Sequence, residues 1–141
     1  MAQAKKVSIN QRDIGNDSPP YICAEISANH NGNIGTALEL IDQASRAGAD
    51  AVKIQTYRPD TITLDSANPE FQIKSGLWAG RTLYELYEEA HLPWEWHAEL
   101  FEYAKNKEIT LFSSPFDHTA VDLLESLNAP AYKIASFEIV D

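Results

Sequence analysis

Polar and charged side chains lie close to the carboxyl end of four short apolar segments, YICAEIS, AVKIQTY, ITLFSS and AYKIAS. They are Glu25 and Ser27, Lys53 and Gln55, Ser113 and Ser114, and Lys133 and Ser136. An ammonium group inside an apolar segment is costly unless an anion meets it, and one glutamate cannot neutralise two lysines. Serine hydroxyls at neighbouring positions add donors for a carboxylate or a phosphate. The combination predicts a binding site for a small anion.

The alternation of side chains along a strand decides whether these groups can meet. It places Lys53 and Gln55 on one face of AVKIQTY and Ile54 on the other. Glu25 and Lys133 likewise oppose apolar neighbours, so two ammonium groups and one carboxylate face a common axis. Glu25 is then available for proton transfer or for binding a hydroxyl group. The alternative is that both lysines extend to the rim and pair with surface acids.

Helical patterns separate the four predicted strands. Apolar spacing predicts one helix from Ile34 to Ala47, a short one around residues 83–90 and another after Pro93. Asp117 can cap a fourth helix, which follows the third strand. The connection from residue 58 to residue 80 is long and polar, which is typical of a functional loop.

Strands that alternate with helices indicate an α/β fold with parallel strands and right-handed crossovers. Two architectures have this pattern, an open doubly wound sheet and the first half of a (β/α)8 barrel. A barrel collects side chains from the ends of several strands, and no GxGxxG turn follows the first strand here. We therefore predict that residues 1–20 form an N-terminal extension or β-hairpin, and that residues 21–141 form the N-terminal half of a TIM barrel.

The overall charge argues against two classes of partner. The 141 residues include 21 acidic and 11 basic side chains, and the formal net charge is -10. Such a surface repels nucleic acid and anionic lipid, so we expect neither nucleic acid nor membrane as a partner. No apolar run approaches the roughly 18 to 20 residues of a spanning helix, and the first residues lack the apolar core of a signal peptide. These features predict a cytoplasmic location.

The remaining reactive side chains are weaker candidates. The single cysteine, Cys23, lies in an apolar run and is predicted to be a buried, inert thiol. His30 in NHNG is equally compatible with a site residue and with a plain turn, whereas His118 is expected in solvent. His91 and His97 belong to predicted helices. No HxH, HExxH or CxxC spacing is present, so the chain contains no metal site recognisable from sequence.

Several motifs resemble the sialic acid synthase family, whose members condense phosphoenolpyruvate with an N-acylated amino sugar. They are AEISANHNG, VKIQTY and FSSPFDHTAVDLLESLNAPAYKIASFEIVD, and the likeness runs from Tyr21 to Asp141. The serine-alanine form of the first motif, the insert LWAGRTLYELYEEAHLPWEWH and the stretch SSPFD are most similar to the branch that makes pseudaminic acid. That branch uses a 2,4-diacetamido-2,4,6-trideoxy sugar in the biosynthesis of bacterial surface glycans.

The resemblance implies roles for individual residues. The positions that hold the carboxylate and phosphate of phosphoenolpyruvate correspond to Lys53, Ser114, Lys133 and Ser136. Gln55 and Glu138 correspond to positions that contact the acyl sugar, and Glu25 to a catalytic acid close to the reacting carbons. In the family mechanism a divalent cation, Mn²⁺ or Mg²⁺, polarises the open-chain aldehyde that the enol carbon attacks.

The chain also departs from the family pattern. Family members are homodimers of full barrels followed by a small antifreeze-like domain, and their two metal-binding histidines belong to the second barrel half. Neither His30 nor His118 inherits that role, so the metal ligands are expected outside this chain, which we expect to be a fragment without activity alone. Three alternatives remain open: a synthase for N-acetylneuraminic or legionaminic acid, a Schiff-base aldolase using Lys53 or Lys133, and a half barrel that only binds.

Overall fold

A computed structural model of the chain describes residues 6–140, so residues 1–5 of the predicted extension and Asp141 lie outside the described residues. The described part begins with an antiparallel hairpin of β1 (Val7–Ile9) and β2 (Arg12–Ile14). The two residues of its turn have positive φ values of 47° and 66°, as a tight hairpin turn requires. The predicted hairpin is therefore confirmed.

The central sheet has three parallel strands in the order β3 (Cys23–Glu25), β4 (Ala51–Thr56) and β5 (Thr110–Pro115). Its register pairs Glu25 with Lys53 and Gln55 with Ser114. The α/β class and the parallel order agree with the prediction from sequence.

The predicted fourth strand, residues 131–136, is wrong as a full strand. It forms one parallel bridge, between Tyr132 and Ser113, in which the Lys133 N–H donates to the Ser113 carbonyl at 3.0 Å. Pro130 has no N–H to extend the ladder on one side. On the other side the chain turns into a 3₁₀ segment, Glu138–Val140.

Five helices and a further 3₁₀ turn connect the strands across residues 6–140. They are α1 (Ile34–Arg46), α2 (Pro59–Ile62), the 3₁₀ turn Pro69–Phe71, α3 (Leu83–Ala90), α4 (Trp96–Asn106) and α5 (His118–Ser126). Side chains cap three of them as the sequence favours: Asn33 caps α1, Thr82 caps α3 and Asp117 caps α5. The connection between β4 and α3 has little regular structure beyond α2 and the 3₁₀ turn, which agrees with the predicted long loop.

The core lies on one side of the sheet, which we call the back face. There Val52 and Ile54 of β4 belong to one apolar cluster with Ile41 of α1 and Leu100 of α4, and all four are 0% exposed. Asp42 also joins the two helices, because it pairs with Lys107 just after α4 as well as with Arg46. The opposite side, which we call the front face, carries Glu25, Lys53, Gln55 and Ser114.

The hairpin lies at the amino end of the sheet, far along the strands from the front-face polar groups. Arg12 pairs with Asp50, the residue before β4, and the Asn10 side chain donates to the Thr110 hydroxyl at 3.1 Å. Asp50 also accepts a hydrogen bond from the Ile22 N–H at 2.7 Å. Across residues 6–140, no helix combines the length and the apolar character that crossing a membrane requires.

Candidate functional site

A connected set of polar contacts joins the carboxyl ends of β3 and β4 on the front face. The Lys53 ammonium forms an ion pair with the Glu25 carboxylate, which also accepts a hydrogen bond from the Ser27 N–H at 2.9 Å. The Ser27 hydroxyl donates to the side-chain carbonyl of Gln55 at 3.0 Å. Three of the predicted site residues, Glu25, Lys53 and Gln55, are thus brought together. The amide nitrogen of Gln55 is left as a donor.

Burial differs within this group. The Lys53 side chain is 14% exposed, whereas that of Glu25 is 44% exposed. Most of the Lys53 side chain is therefore shielded from solvent, while its partner still contacts solvent. Such a pair holds the ammonium in place at moderate cost, since the carboxylate is not fully desolvated.

Ser114 is the neighbour of Gln55 in the register of β4 and β5, so it shares the front face. It is 1% exposed, and its Oγ atom has no hydrogen-bond partner within residues 6–140. Native proteins satisfy most buried hydroxyls. This hydroxyl is a free donor and acceptor on the same face as the Lys53–Glu25 pair.

The predicted burial of Cys23 is wrong. The residue is exposed, because it lies on the same front face as Glu25, which remains open in the described part of the chain. Partial burial and the charge of Glu25 raise the pKa of its thiol, and Lys53 acts in the opposite direction. A raised pKa disfavours the thiolate, so the predicted chemical inertness still has a physical basis.

The remaining predicted site residues follow β5 and are less closely held. The bridge at Tyr132 places Lys133 at the level of Ser114 and, by alternation, on the front face. Two strand spacings of about 4.8 Å separate its backbone from that of Gln55. Lys133 and Ser136 are exposed, and the Lys133 ammonium forms no ion pair within residues 6–140.

Glu138 lies in the 3₁₀ segment that follows Ser136 and is half-buried. Its Oε2 atom is buried and has no hydrogen-bond partner in the described part of the chain. No hydrogen bond or ion pair there joins Glu138 to Gln55, with which it was grouped as a sugar contact.

His30 packs in a turn between β3 and α1. It is 2% exposed, its Nδ1 atom accepts a hydrogen bond from the Gly32 N–H at 3.1 Å, and its ring meets Trp96 edge-on at 5.5 Å. Burial lowers the pKa of His30, the carbonyl of Ala90 acts the other way, and the charge of His91 lowers it further. Its Nε2 atom is buried and has no hydrogen-bond partner within residues 6–140, so these contacts leave the turn and the site interpretations both open.

A polar cluster that the sequence did not reveal lies on the back face, behind Gln55 and Ser114. Thr56, Ser113 and His97 are each 0% exposed. The Thr56 hydroxyl lies 2.9 Å from His97 Nε2 and 2.6 Å from the Ser113 hydroxyl. From the sequence, both serines count among the polar residues at the strand ends but only Ser114 is assigned to the anion, and alternation is the signal that separates the two.

Aromatic rings surround the segment that follows β4. Tyr57 is 3% exposed and meets Tyr87 and Phe116 edge-on, each at 5.6 Å between ring centroids. Burial, together with the neighbouring Tyr87, raises the pKa of Tyr57 to about 12. The Arg58 guanidinium lies over the ring of Trp94 at 4.4 Å. These contacts fix the entry of the long connection beside the front-face groups.

A metal ion requires several oxygen, nitrogen or sulfur ligands at one point. Within residues 6–140, no three His, Cys, Asp or Glu side chains are grouped to hold one. The described residues do not by themselves form the divalent-metal site that the resemblance implies, and we assign no step to a metal. A separate groove of about 820 Å³ lies between α4, α5 and the amino end of β5, and none of the front-face residues lines it.

Comparisons with known proteins identify the family of the chain. The sequence pattern of the NeuB family matches residues 40–141. Pseudaminic acid synthase of Helicobacter pylori is 54% identical over 123 residues, which are 87% of this chain and 36% of that protein. Pseudaminic acid synthase of Campylobacter jejuni serotype O:2 is 53% identical over 131 residues, or 91% of this chain and 38% of that protein. The chain thus spans little more than a third of these relatives.

A solved structure gives the same result for the fold. The crystal structure of an N-acetylneuraminic acid synthetase from Leptospira borgpetersenii, in complex with citrate, superimposes with a TM-score of 0.80 at 28% identity. The match covers 97% of this chain and 43% of that one. Since the family pattern covers most of the sequence and the fold matches as well, the chain belongs to the NeuB family.

Proposed function

We propose that this chain supplies the phosphoenolpyruvate-binding part, and one side of the sugar site, of a synthase that makes a nonulosonic acid. The reaction joins the methylene carbon of phosphoenolpyruvate to the aldehyde carbon of an N-acylated amino sugar. Water adds to the phosphate-bearing carbon, and inorganic phosphate leaves. The observation that carries the proposal is that the Lys53–Glu25 pair shares one face of the sheet with the unpartnered, buried Ser114 hydroxyl.

The charge balance of the front face supports binding of a small anion. Lys53 and Lys133 contribute two positive charges, and Glu25 contributes one negative charge. These three residues leave one positive charge for the anion, with Glu138 counted on the sugar side, although the chain as a whole carries a formal net charge of -10. A local cation in an acidic protein selects a compact anion over an extended polyanion. The Ser114 hydroxyl adds a neutral donor, and we assign Ser136 to the same anion.

The sugar is assigned to Gln55 and Glu138. Ser27 holds the side-chain carbonyl of Gln55, so the amide nitrogen is oriented as a donor, which suits an acyl carbonyl or a hydroxyl oxygen. The buried, unpartnered Oε2 atom of Glu138 is an acceptor for a sugar hydroxyl. One donor and one acceptor together select a ligand that carries both amide and hydroxyl groups.

Glu25 is assigned a catalytic role because of its position and its exposure. Its carboxylate contacts Lys53 and remains partly open on the front face. When phosphoenolpyruvate replaces Glu25 as the partner of the Lys53 ammonium, the Glu25 carboxylate is free to accept a proton from the attacking water or to bind the sugar hydroxyls. Lys53 meanwhile stabilises the anion throughout the reaction, since its charge is already oriented toward it.

The architecture proposed for the complete protein is a (β/α)8 barrel, of which residues 21–141 form the N-terminal half. The parallel order of β3, β4 and β5 and the single bridge at Tyr132 are consistent with consecutive strands of such a barrel. The superposition on the Leptospira synthetase supports the same assignment. The divalent metal and the homodimer are proposed for the complete protein only.

Pseudaminic acid is the proposed product. The chain is 54% identical to the Helicobacter pylori pseudaminic acid synthase but 28% identical to the N-acetylneuraminic acid synthetase of Leptospira. The test uses the product of the complete reading frame, incubated with phosphoenolpyruvate and one acyl sugar at a time while free phosphate is measured. Phosphate release with the 2,4-diacetamido-2,4,6-trideoxy sugar is the expected result. Release with N-acetylmannosamine alone would replace the pseudaminic assignment by N-acetylneuraminic acid.

Binding can be tested on the 141-residue chain itself. Calorimetry with phosphoenolpyruvate should show binding to the wild type and at least tenfold weaker binding to Lys53→Met, which keeps the aliphatic stem but removes the charge. Lys74→Met, a change at an exposed lysine of the long connection, is the matched control and should bind as the wild type does. Equal binding by all three proteins would refute the anion site. A borohydride-trapped adduct of pyruvate or of the open-chain sugar on Lys53 or Lys133 would point to Schiff-base chemistry instead.

A further inference from the structure

The buried cluster of His97, Thr56 and Ser113 links α4 to the carboxyl ends of β4 and β5. His97 lies in the first turn of α4, Thr56 is the last residue of β4, and Ser113 lies opposite Ile54 in β5. All three residues are 0% exposed, so their polar groups depend on one another. Directional hydrogen bonds in such a region fix distances that apolar contacts leave adjustable.

The direction of each hydrogen bond follows from the neighbouring acceptors. His97 Nδ1 lies 3.2 Å from the carbonyls of both Pro93 and Trp94, so this nitrogen carries the proton. Nε2 is then the acceptor in the neutral ring, and the Thr56 hydroxyl donates to it at 2.9 Å. Thr56 in turn accepts from the Ser113 hydroxyl at 2.6 Å. Burial lowers the pKa of His97, against the effect of the two carbonyls, which is consistent with a neutral ring.

This chain of hydrogen bonds lies directly behind the front-face site. Thr56 follows Gln55, and Ser113 precedes Ser114, so a shift of either backbone moves a front-face side chain. Gln55 and Ser114 are themselves partners in the register. We propose that His97 is a positioning residue, which sets the relative height of Gln55 and Ser114 through Thr56 and Ser113. The inference rests on the proposed function, because it assigns a purpose to the spacing of these two side chains.

Two substitutions distinguish the hydrogen bond that His97 makes through Nε2 from those that it makes through Nδ1. His97→Gln places an oxygen near the position of Nε2 and keeps an acceptor for Thr56, whereas His97→Asn keeps a polar group only near Nδ1, on the α4 side. Leu100→Val, at a 0% exposed position of the same helix, is the control for a general loss of packing. All three variants are made in the product of the complete reading frame and in the 141-residue chain.

In the complete enzyme, His97→Asn should lower kcat/KM by about tenfold to a hundredfold, the usual cost of a small misplacement of binding groups. His97→Gln and Leu100→Val should stay within about threefold of the wild type. Equal losses in the Asn and Gln variants, or a comparable loss in Leu100→Val, would overturn the positioning role.

Nuclear magnetic resonance on the 141-residue chain tests the geometry without any turnover. Nitrogen-15 spectra should show the proton of His97 on Nδ1, and the backbone amide signals of Gln55 and Ser114 should shift in His97→Asn but not in His97→Gln. A proton on Nε2, or unchanged amide signals in both variants, would refute the inference even if the enzyme is active. A wild-type enzyme that releases no phosphate with any acyl sugar would refute the proposed function, while these spectra would still decide the geometry.

Discussion

Two adjacent serines show how differently the two faces of the central sheet are built. Ser113 and Ser114 are 0% and 1% exposed, so both hydroxyls have left water. On the back face, the Ser113 hydroxyl donates to the Thr56 hydroxyl at 2.6 Å. On the front face, the Ser114 hydroxyl has no partner within residues 6–140. A buried polar group that is fully bonded contributes to the fold, whereas an unbonded one is available to a ligand.

The same division extends to the charged and apolar side chains. The back face of β4 carries Val52 and Ile54, which are 0% exposed in the main apolar cluster. The front face carries Lys53, whose partner Glu25 is 44% exposed. Neighbouring residues of β4 therefore have different roles, one in the core and the next at the candidate binding site. The back face should determine stability, and the front face should determine binding.

The largest expected effect is on the back face. Ile54→Ala removes a 0% exposed side chain between α1 and α4 and leaves a cavity, so it should lower the free energy of unfolding by about 2–5 kcal/mol. Gln55→Ala, one residue away on the front face, should change it by less than about 1 kcal/mol. Urea unfolding followed by circular dichroism measures both. Comparable losses for the two variants would show that the faces are not divided in this way.

The two serines allow a more specific test, in which the expected change in stability is smaller. Ser113→Ala leaves Thr56 without its donor in a dry region and should cost about 1–3 kcal/mol. Ser114→Ala removes a buried hydroxyl that has no partner in the described residues, so stability should be unchanged or slightly raised. Phosphoenolpyruvate binding should respond in the opposite order, with the larger loss in Ser114→Ala. A destabilising Ser114→Ala would mean that its hydroxyl has a structural partner after all.

Much of this division could be predicted from the sequence. Alternation alone placed Lys53 and Gln55 on the face of β4 opposite to that of Ile54, and the capping residue Asp117 marked the start of one helix. These are local rules that need no knowledge of the partner strand. The hairpin was foreseen for the same reason, since its turn and strands are contiguous in the sequence.

The rest depends on contacts between distant residues. His97 lies 41 positions from Thr56 in the sequence, and nothing in its helix distinguished it from a core residue. Cys23 was expected to be buried because its run is apolar, yet its face is open. The fourth strand was overpredicted because apolar alternation in AYKIAS does not reveal that only Tyr132 pairs with β5. Burial and pairing are properties of the neighbours, which composition does not report.

A smaller effect should appear when the pH falls. The pKa of His97 is lowered below its ordinary value of 6.5, chiefly by burial, so the folded state binds a proton less readily than the unfolded chain. The stability that follows from the neutral ring is complete above about pH 6.5 and is lost as the pH falls toward the folded-state pKa. The urea midpoint should therefore decrease between pH 7.5 and 5.5, and decrease less in His97→Gln. We expect the decrease in urea midpoint that remains in His97→Gln to come from His30, whose pKa is also lowered by burial.

The smallest expected effect on stability belongs to the ion pair of the front face. Lys53→Met and Glu25→Gln, combined in a double-mutant cycle, should give a coupling energy within about 1 kcal/mol, because the Glu25 carboxylate remains partly in solvent. Added salt should reduce it further. A coupling of several kcal/mol would instead indicate a fully desolvated pair and a front face as closed as the back. A weak coupling with a large loss of phosphoenolpyruvate binding in Lys53→Met would mean that the ammonium contributes more to the ligand than to the fold.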